Sequence, residues 1–170
     1  PHLSKLVGML ARIEGIDDIS LTTNGTLLGK YAVELKEAGL KRVNVSLDTL
    51  KKDRFQRITG GDNLAEVLAG IEAAHRAGLN PVKINMVVMR GINDDEILDF
   101  AQKSLGEGWH VRFIEYMPFG TLKTDAATVV PILEIGERIR AASGRNTRCQ
   151  DYGDRIDLVG QRHRVYAARP

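Results

Sequence analysis

The feature that most constrains this chain is a strand and helix pattern that alternates four times, with "AGLKRVNV" (38–45) and "AGLNPVKI" (77–84) as echoing joints. Helical spacing over 3–13 leads into a strand in "DDISLTTNG", which turns at Asn24-Gly25. Residues 26–38 then put Leu27, Leu28, Tyr31 and Leu35 on one helical face, with Gly39 as the stop. "KRVNVSLDT" is the next strand, 63–77 the next helix with Gly78 as its stop, and "PVKINMVVM" the third strand. "NDDEILDFAQKSL" reads as a helix with Asn93 as N-cap and acids in the first turn, where the helix dipole favours them. A fourth strand, "HVRFIEYMPFG", and a helix over 129–142 follow. Such alternation makes an α/β chain of β/α units around a parallel sheet. Right-handed crossovers leave an open doubly wound sheet or part of a (β/α) barrel.

The style changes after about residue 145. Short strand-like pieces around Gly160-Gln161 predict a hairpin appended to the rest. The chain opens on Pro1, and Leu3, Leu6, Val7 and Leu10 already show helical spacing there, so we expect a fragment of a longer protein.

Composition narrows the class. The 170 residues suit one domain, and 43% apolar with 27% charged content reads as soluble and globular. No apolar run approaches the ~20 residues of a membrane span, and no signal peptide is visible. A net charge of +2 makes no case for nucleic acid. Cys149 is the single cysteine, which excludes a disulfide framework and a cysteine cluster, and the cytoplasm is the default compartment.

The strands carry an unusual face. Parallel strands covered on both sides read as near-continuous Val, Ile and Leu. Here the parity alternates. Ser20, Thr22 and Asn24 oppose Ile19 and Leu21. Asn44, Ser46 and Asp48 oppose Val43, Val45 and Leu47. Lys83 and Asn85 oppose Val82, Ile84 and Met86, and Arg112 shares a face with Ile114 and Tyr116. An unpaired buried polar group costs on the order of 1–3 kcal/mol. A whole polar face therefore needs an internal network or a polar ligand. Two cations, Lys83 and Arg112, favour an anionic, hydroxyl-rich ligand such as a nucleotide. Barrels place their chemistry at the C-terminal strand ends, where Thr22, Ser46 and Met117 lie.

Other candidates are weaker. Gly60-Gly61 follows no strand and lacks the lysine of a phosphate loop, so it reads as a turn. Asp94, Asp95 and Glu96 read as first-turn acids rather than a cation site. His2, His75, His110 and His163 have no metal spacing. "KKDRFQR" at 51–57 reads as a solvated face, and Glu115 as the partner of a neighbouring base.

"LTTNG", "NVSLDT", "VKINMVV", "GINDDEI" and "RFIEYMPFG" resemble, in order and spacing, the molybdenum cofactor biosynthesis protein A family of radical S-adenosylmethionine (SAM) enzymes, the GTP 3′,8-cyclases. The first two motifs are widespread among radical SAM enzymes; "GINDDEI" followed by "RFIEYMPFG" is far more specific. The resemblance implies part of an incomplete TIM-type (β/α)6 barrel, about four β/α units over 1–143. The start of a C-terminal, hairpin-like extension follows over 144–170. It implies SAM and two [4Fe-4S] clusters as cofactors, GTP as substrate, and a partner that converts the product to cyclic pyranopterin monophosphate. No nucleic acid or membrane partner is expected.

Position by position, Ser46 and Met117 match SAM-contacting residues, and Thr22 and Lys83 match GTP-contacting ones. Asn24, Asn44, Asn85 and Arg112 are possible lining residues. The three-cysteine radical motif, the glycine-rich SAM loop and the C-terminal cysteines of the family are missing from this sequence. The first two barrel strands are thus expected before Pro1 and the second cluster beyond Pro170. No catalytic residue or metal ligand is expected in this chain, which alone should be inactive. An unpaired barrel edge predicts a homodimer or other self-association. Two other readings stay open: a Schiff-base barrel lyase using Lys83, and a non-catalytic nucleotide-binding module.

Overall fold

The computed structural model describes residues 2–117, 126–142, 156–159 and 164–165. Its elements run α1 (Leu3–Leu10), β1 (Ser20–Thr23), α2 (Leu28–Glu37), β2 (Arg42–Ser46), α3 (Lys52–Thr59), α4 (Leu64–Arg76) and β3 (Val82–Val88). Then come α5 (Ile97–Gly106), β4 (His110–Glu115), α6 (Ile132–Ala142), β5 (Ile156–Val159) and β6 (Arg164–Val165). Single 3-10 turns, Asp94–Glu96 and Ala126–Thr128, precede α5 and α6. The chain divides into two compact units, Pro1–Leu47 with Phe55–Ile84, and Asp48–Arg54 with Asn85–Pro170.

In the first unit β1 and β2 pair in parallel, with Leu21 opposite Val43 and Thr22 opposite Asn44. The two echoing joints are built alike. Gly39 and Gly78 have φ of +111° and +76°, a region open to glycine and costly for other residues. Gly39 N–H bonds Lys36 O and Leu40 N–H bonds Leu35 O, both at 3.0 Å; Gly78 to His75 and Leu79 to Ala74 repeat this. Each is a Schellman stop that satisfies the last helical carbonyls. Behind the strands, Val43, Val45, Val82 and Ile84 are fully buried. Helices α2 and α4 cross where Gly29 and Gly70 bring their backbones together.

In the second unit β4 and β5 pair in parallel, Val111 opposite Ile156, and β6 runs antiparallel to β5. The predicted hairpin is thus present in its strands; its Gly160-Gln161 turn lies outside the described residues. The core holds Met86, Val88, Phe100, Val111, Phe113 and Ile135. Phe100 meets Trp109 edge to face, ring centroids 6.4 Å apart.

Several expectations need correction. The helix predicted over 3–13 ends at Leu10, because Arg12 and Ile13 bond back only three residues, to Met9 and Leu10. The last helix begins at Ile132, not 129. "KKDRFQR" is solvated at Lys51, Lys52, Asp53, Gln56 and Arg57, as expected, but it also enters α3, which buries Phe55 and holds Arg54 in ion pairs. Asn93 does not cap a helix with its side chain. Its Nδ2 donates to Asp48 O and Val87 O, both 2.8 Å, and its Oδ1 accepts Met89 N–H at 2.7 Å. Among the described residues Glu115 pairs with no base; its Oε2 accepts the backbone N–H of Ile132 at 2.9 Å. Gly60 (φ +75°) closes α3, as a turn there requires.

Candidate functional site

Strand parity places the candidate residues as the sequence predicts. In the first unit Thr22 and Ser46 are exposed and Asn44 and Lys83 half-buried, alternating with the buried valines and isoleucine. Asn44 Nδ2 donates to its register partner Thr22 Oγ1 at 3.4 Å, so β1 and β2 share a hydroxyl and amide surface. Ser46 is the last residue of β2 and stands open at the strand end. Asn24 serves its own turn: its Oδ1 accepts Thr26 N–H at 3.3 Å and Thr26 Oγ1 at 3.0 Å. It lines a cavity of about 300 Å3 with Leu21, Thr23, Leu28 and Tyr31.

In the second unit Asn85 lies half-buried between Ile84 and Met86 in sequence, and its Oδ1 is enclosed without a hydrogen-bond partner. A buried acceptor left open costs free energy unless a ligand or water fills it. Arg112 is not a free positive charge. Its register partner on β5 is Asp157, and Nη2 meets the carboxylate at 3.1 Å. Arg112 is thus already neutralised within its own sheet. Met117 lies two residues past β4 and is 39% exposed, available to cover an apolar or aromatic surface.

A polar cluster that sequence reasoning missed gathers around "GINDDEI" in the same unit. Glu96 is completely buried, and its Oε1 accepts Thr49 Oγ1 and its Oε2 Leu50 N–H, both at 2.6 Å. Arg54 closes on both Glu96 and Asp95. Lys51 Nζ adds a 2.6 Å contact to Asp95. Arg54 first, then Lys51, hold the Asp95 carboxyl down at about 2. Asp48 Oδ1 accepts Val87 N–H at 2.8 Å, and burial pushes its pKa above the ordinary value despite that bond. Asp94 meets Arg138 at 3.0 Å, and Glu134, bonded to Arg90 and Arg138, is held down at about 2. The signal in the sequence was three consecutive acids with Lys51 and Arg54 one helical turn apart, read instead as dipole complements and solvated charge.

The polar strand face suits a polar ligand, and the open Asn85 acceptor is the atom that most directly asks for one. Iron is different. Among the described residues no three His, Cys, Asp or Glu side chains gather as a ligand set, so the residues do not fit a cluster.

Comparison with known proteins bears on these features. The Radical SAM superfamily matches residues 1–103. The GTP 3',8-cyclase of Moorella thermoacetica is 58% identical over 134 residues, 79% of this chain and 42% of that protein. That of Pelotomaculum thermopropionicum is 52% identical over 143 residues, 84% of this chain and 44% of that protein. The chain thus spans less than half the length of these relatives. Among solved structures, TYW1 with a lysine-pyruvate adduct bound superposes with a TM-score of 0.60 at 18% identity, covering 87% of this chain and 46% of that one. A radical SAM methyltransferase from Sphaerobacter thermophilus gives 0.59 at 18% identity, covering 88% and 42%. These likenesses agree with the α/β fold class expected from the alternation, a part of a TIM-type barrel. With its match running from residue 1 to 103, this chain belongs to the radical SAM superfamily.

Proposed function

We propose that this chain is the central part of a GTP 3′,8-cyclase, the radical SAM enzyme that cyclises GTP to the precursor of cyclic pyranopterin monophosphate. The observation that carries this reading is the polar strand face of Thr22, Asn44, Ser46 and Lys83, found in a chain so similar to relatives of that name. Ser46 hydrogen-bonds SAM from the open end of β2, and Met117 covers the adenine. Lys83 offers an ammonium to the triphosphate, and Thr22 a hydroxyl to the nucleotide. Asn85 supplies a buried acceptor toward a ligand N–H or O–H. Asn44 holds Thr22 in place. Asn24 and Arg112 support their own segments.

The chemistry itself would draw on [4Fe-4S] clusters, two of them, which would supply the electron that cleaves SAM and a seat for the purine; no described residue of this chain would hold them. Their ligands belong to other parts of the whole protein, so the isolated chain is inactive. The reading also includes the cytoplasm as compartment, the cyclic pyranopterin monophosphate synthase as pathway partner, and a homodimer.

The test is equilibrium binding to the whole protein with its clusters reconstituted under anaerobic conditions. Ser46→Ala should weaken SAM about tenfold and leave GTP nearly unchanged, and Lys83→Met should do the reverse, the loss of one charge-assisted or buried hydrogen bond in each case. Parent-like affinity for both ligands in both variants would overturn the assignment.

A further inference from the structure

Asn85 differs from the other polar groups of the second unit. There Asp48, Thr49, Asn93 and Glu96 bond one another or nearby backbone. Glu115 accepts from the start of α6, and Arg112 pairs with Asp157. The Asn85 amide joins none of this: Oδ1 is enclosed without a partner, and Nδ2 bonds no described residue. Strand parity sets where it stands. Met86 and Val88 are buried with Val111 and Phe113, so Asn85 shares the opposite, half-buried face of the unit with Arg112 and Ile114. Asp157 neutralises Arg112, so the two together add no net charge to that face. An ionised phosphate or carboxylate has no proton to give an acceptor, and an ammonium favours net negative charge. The group that suits Oδ1 is a neutral donor. The strand itself does not call for an amide, since a leucine of similar size would remove the unpaired oxygen. A local rule broken without structural gain points to a ligand.

We propose that Asn85 is a specificity-determining residue that reads a sugar: its Oδ1 accepts a hydrogen bond from a ribose hydroxyl of a bound nucleoside. It thereby separates the ribonucleoside from its deoxy counterparts. The proposal rests on the reading that the whole protein binds GTP and SAM, both of which carry a ribose 2′,3′-diol. The amide offers an acceptor and a donor side by side, and a vicinal diol presents one hydroxyl to each. Its last torsion is soft and two-fold, so the amide turns toward a ligand without breaking a bond to any described residue. A hydroxyl follows that turn, whereas a base edge meets an amide only when the two planes align. A site built to bond a substrate hydroxyl also rejects the analogue that lacks it, because the buried acceptor is then left open.

The test is a cycle of residue against ligand in the whole reconstituted protein. Parent and Asn85→Leu are titrated with GTP, 2′-deoxyGTP and 3′-deoxyGTP, and with SAM and its 2′-deoxy and 3′-deoxy analogues. For one of the two nucleosides, the parent should bind the ribo form about tenfold more tightly than one deoxy analogue, the loss of one hydrogen bond. Asn85→Leu should bind that ribo form about tenfold more weakly than the parent does, and should bind it and the deoxy analogue alike. The ligand that shows the effect, GTP or SAM, is the source of the hydroxyl. Stability gives a second readout. Asn85→Leu removes an enclosed, unpaired oxygen, so its urea midpoint should equal or exceed the parent's. Asn85→Ala carries the ligand cycle if the leucine variant does not fold. Unchanged deoxy discrimination in the variant would overturn the proposal. So would equal weakening of ribo and deoxy forms, the mark of a structural role. Inosine triphosphate lacks the purine amine; if the variant loses discrimination against it and keeps discrimination against the deoxy forms, Asn85 reads the base and the proposal fails. A parent that binds both GTP and SAM without preferring either ribo form overturns the proposal alone. A parent that binds neither overturns the reading of the site as well.

Discussion

Glu115 closes β4 with a carboxylate that accepts the first N–H of α6. A helix start has free N–H groups and the positive end of the dipole, so a carboxylate there does the work of a cap. Glu115→Ala should cost about 1 kcal/mol in urea unfolding, and Glu115→Gln less, since an amide oxygen still accepts. From the sequence alone the residue looked like half of an ion pair, because its partner is a backbone group 17 positions away. Arg112 was misread for the same reason, its Asp157 lying 45 positions on. By contrast, the faces of Thr22, Asn44, Ser46 and Lys83 were legible outright. Period two is a local property of each strand, and the burial of Val43, Val45, Val82 and Ile84 follows it.

Among the elements, α2 and α4 show how closely two helices can approach. A Cβ on Gly70 would stand 2.7 Å from Gly25 O and 3.1 Å from Leu28 Cβ. Gly70→Ala must therefore push backbone apart, and we expect a loss of roughly 1–3 kcal/mol by thermal or urea unfolding, despite alanine's better helix propensity. Helix α3 was not legible because its sequence, KDRFQRIT, is strongly polar and carries only two large apolar residues, Phe55 and Ile58. Ionic contacts of Arg54 to acids more than 40 positions away anchor it instead. Those acids give a pH signature. Asp95 is lowered from 3.8 to about 2, and Glu134 from 4.5 to about 2, by their arginine partners. A carboxylate with a depressed folded pKa contributes fully above its unfolded value and loses that contribution as pH falls toward its folded one. Acid unfolding should thus lose stability between about pH 4.5 and 2, and Asp95→Asn should flatten the slope in that window. Both groups are partly exposed, so the change is small and should shrink further with salt.

For the molecule as a whole, Leu6, Met9, Ile13, Leu27 and Val33 of the first unit are each more than half exposed. Apolar exposure of this extent promotes association. The isolated chain should therefore show a mass that rises with concentration in light scattering; a constant monomer mass would count against the homodimer in our reading. Feeding it iron and sulfide should give no cubane absorbance or EPR signal, whereas the whole protein should give one. The echoing joints carry a further consequence, which concerns phase. Leu40 and Leu79 are buried directly after their glycine stops, and three residues later Val43 and Val82 start the buried set of β2 and β3. Each joint thus works like the start of a reading frame: it sets which residues count as odd and which as even. One residue inserted at "KR" or "NP" would keep the helix, the stop and the strand, yet turn every valine toward the polar face and every polar group into the core. Natural length variation should accordingly fall at the other ends of the strands, leaving these short joints fixed in length as the place where the chain keeps count.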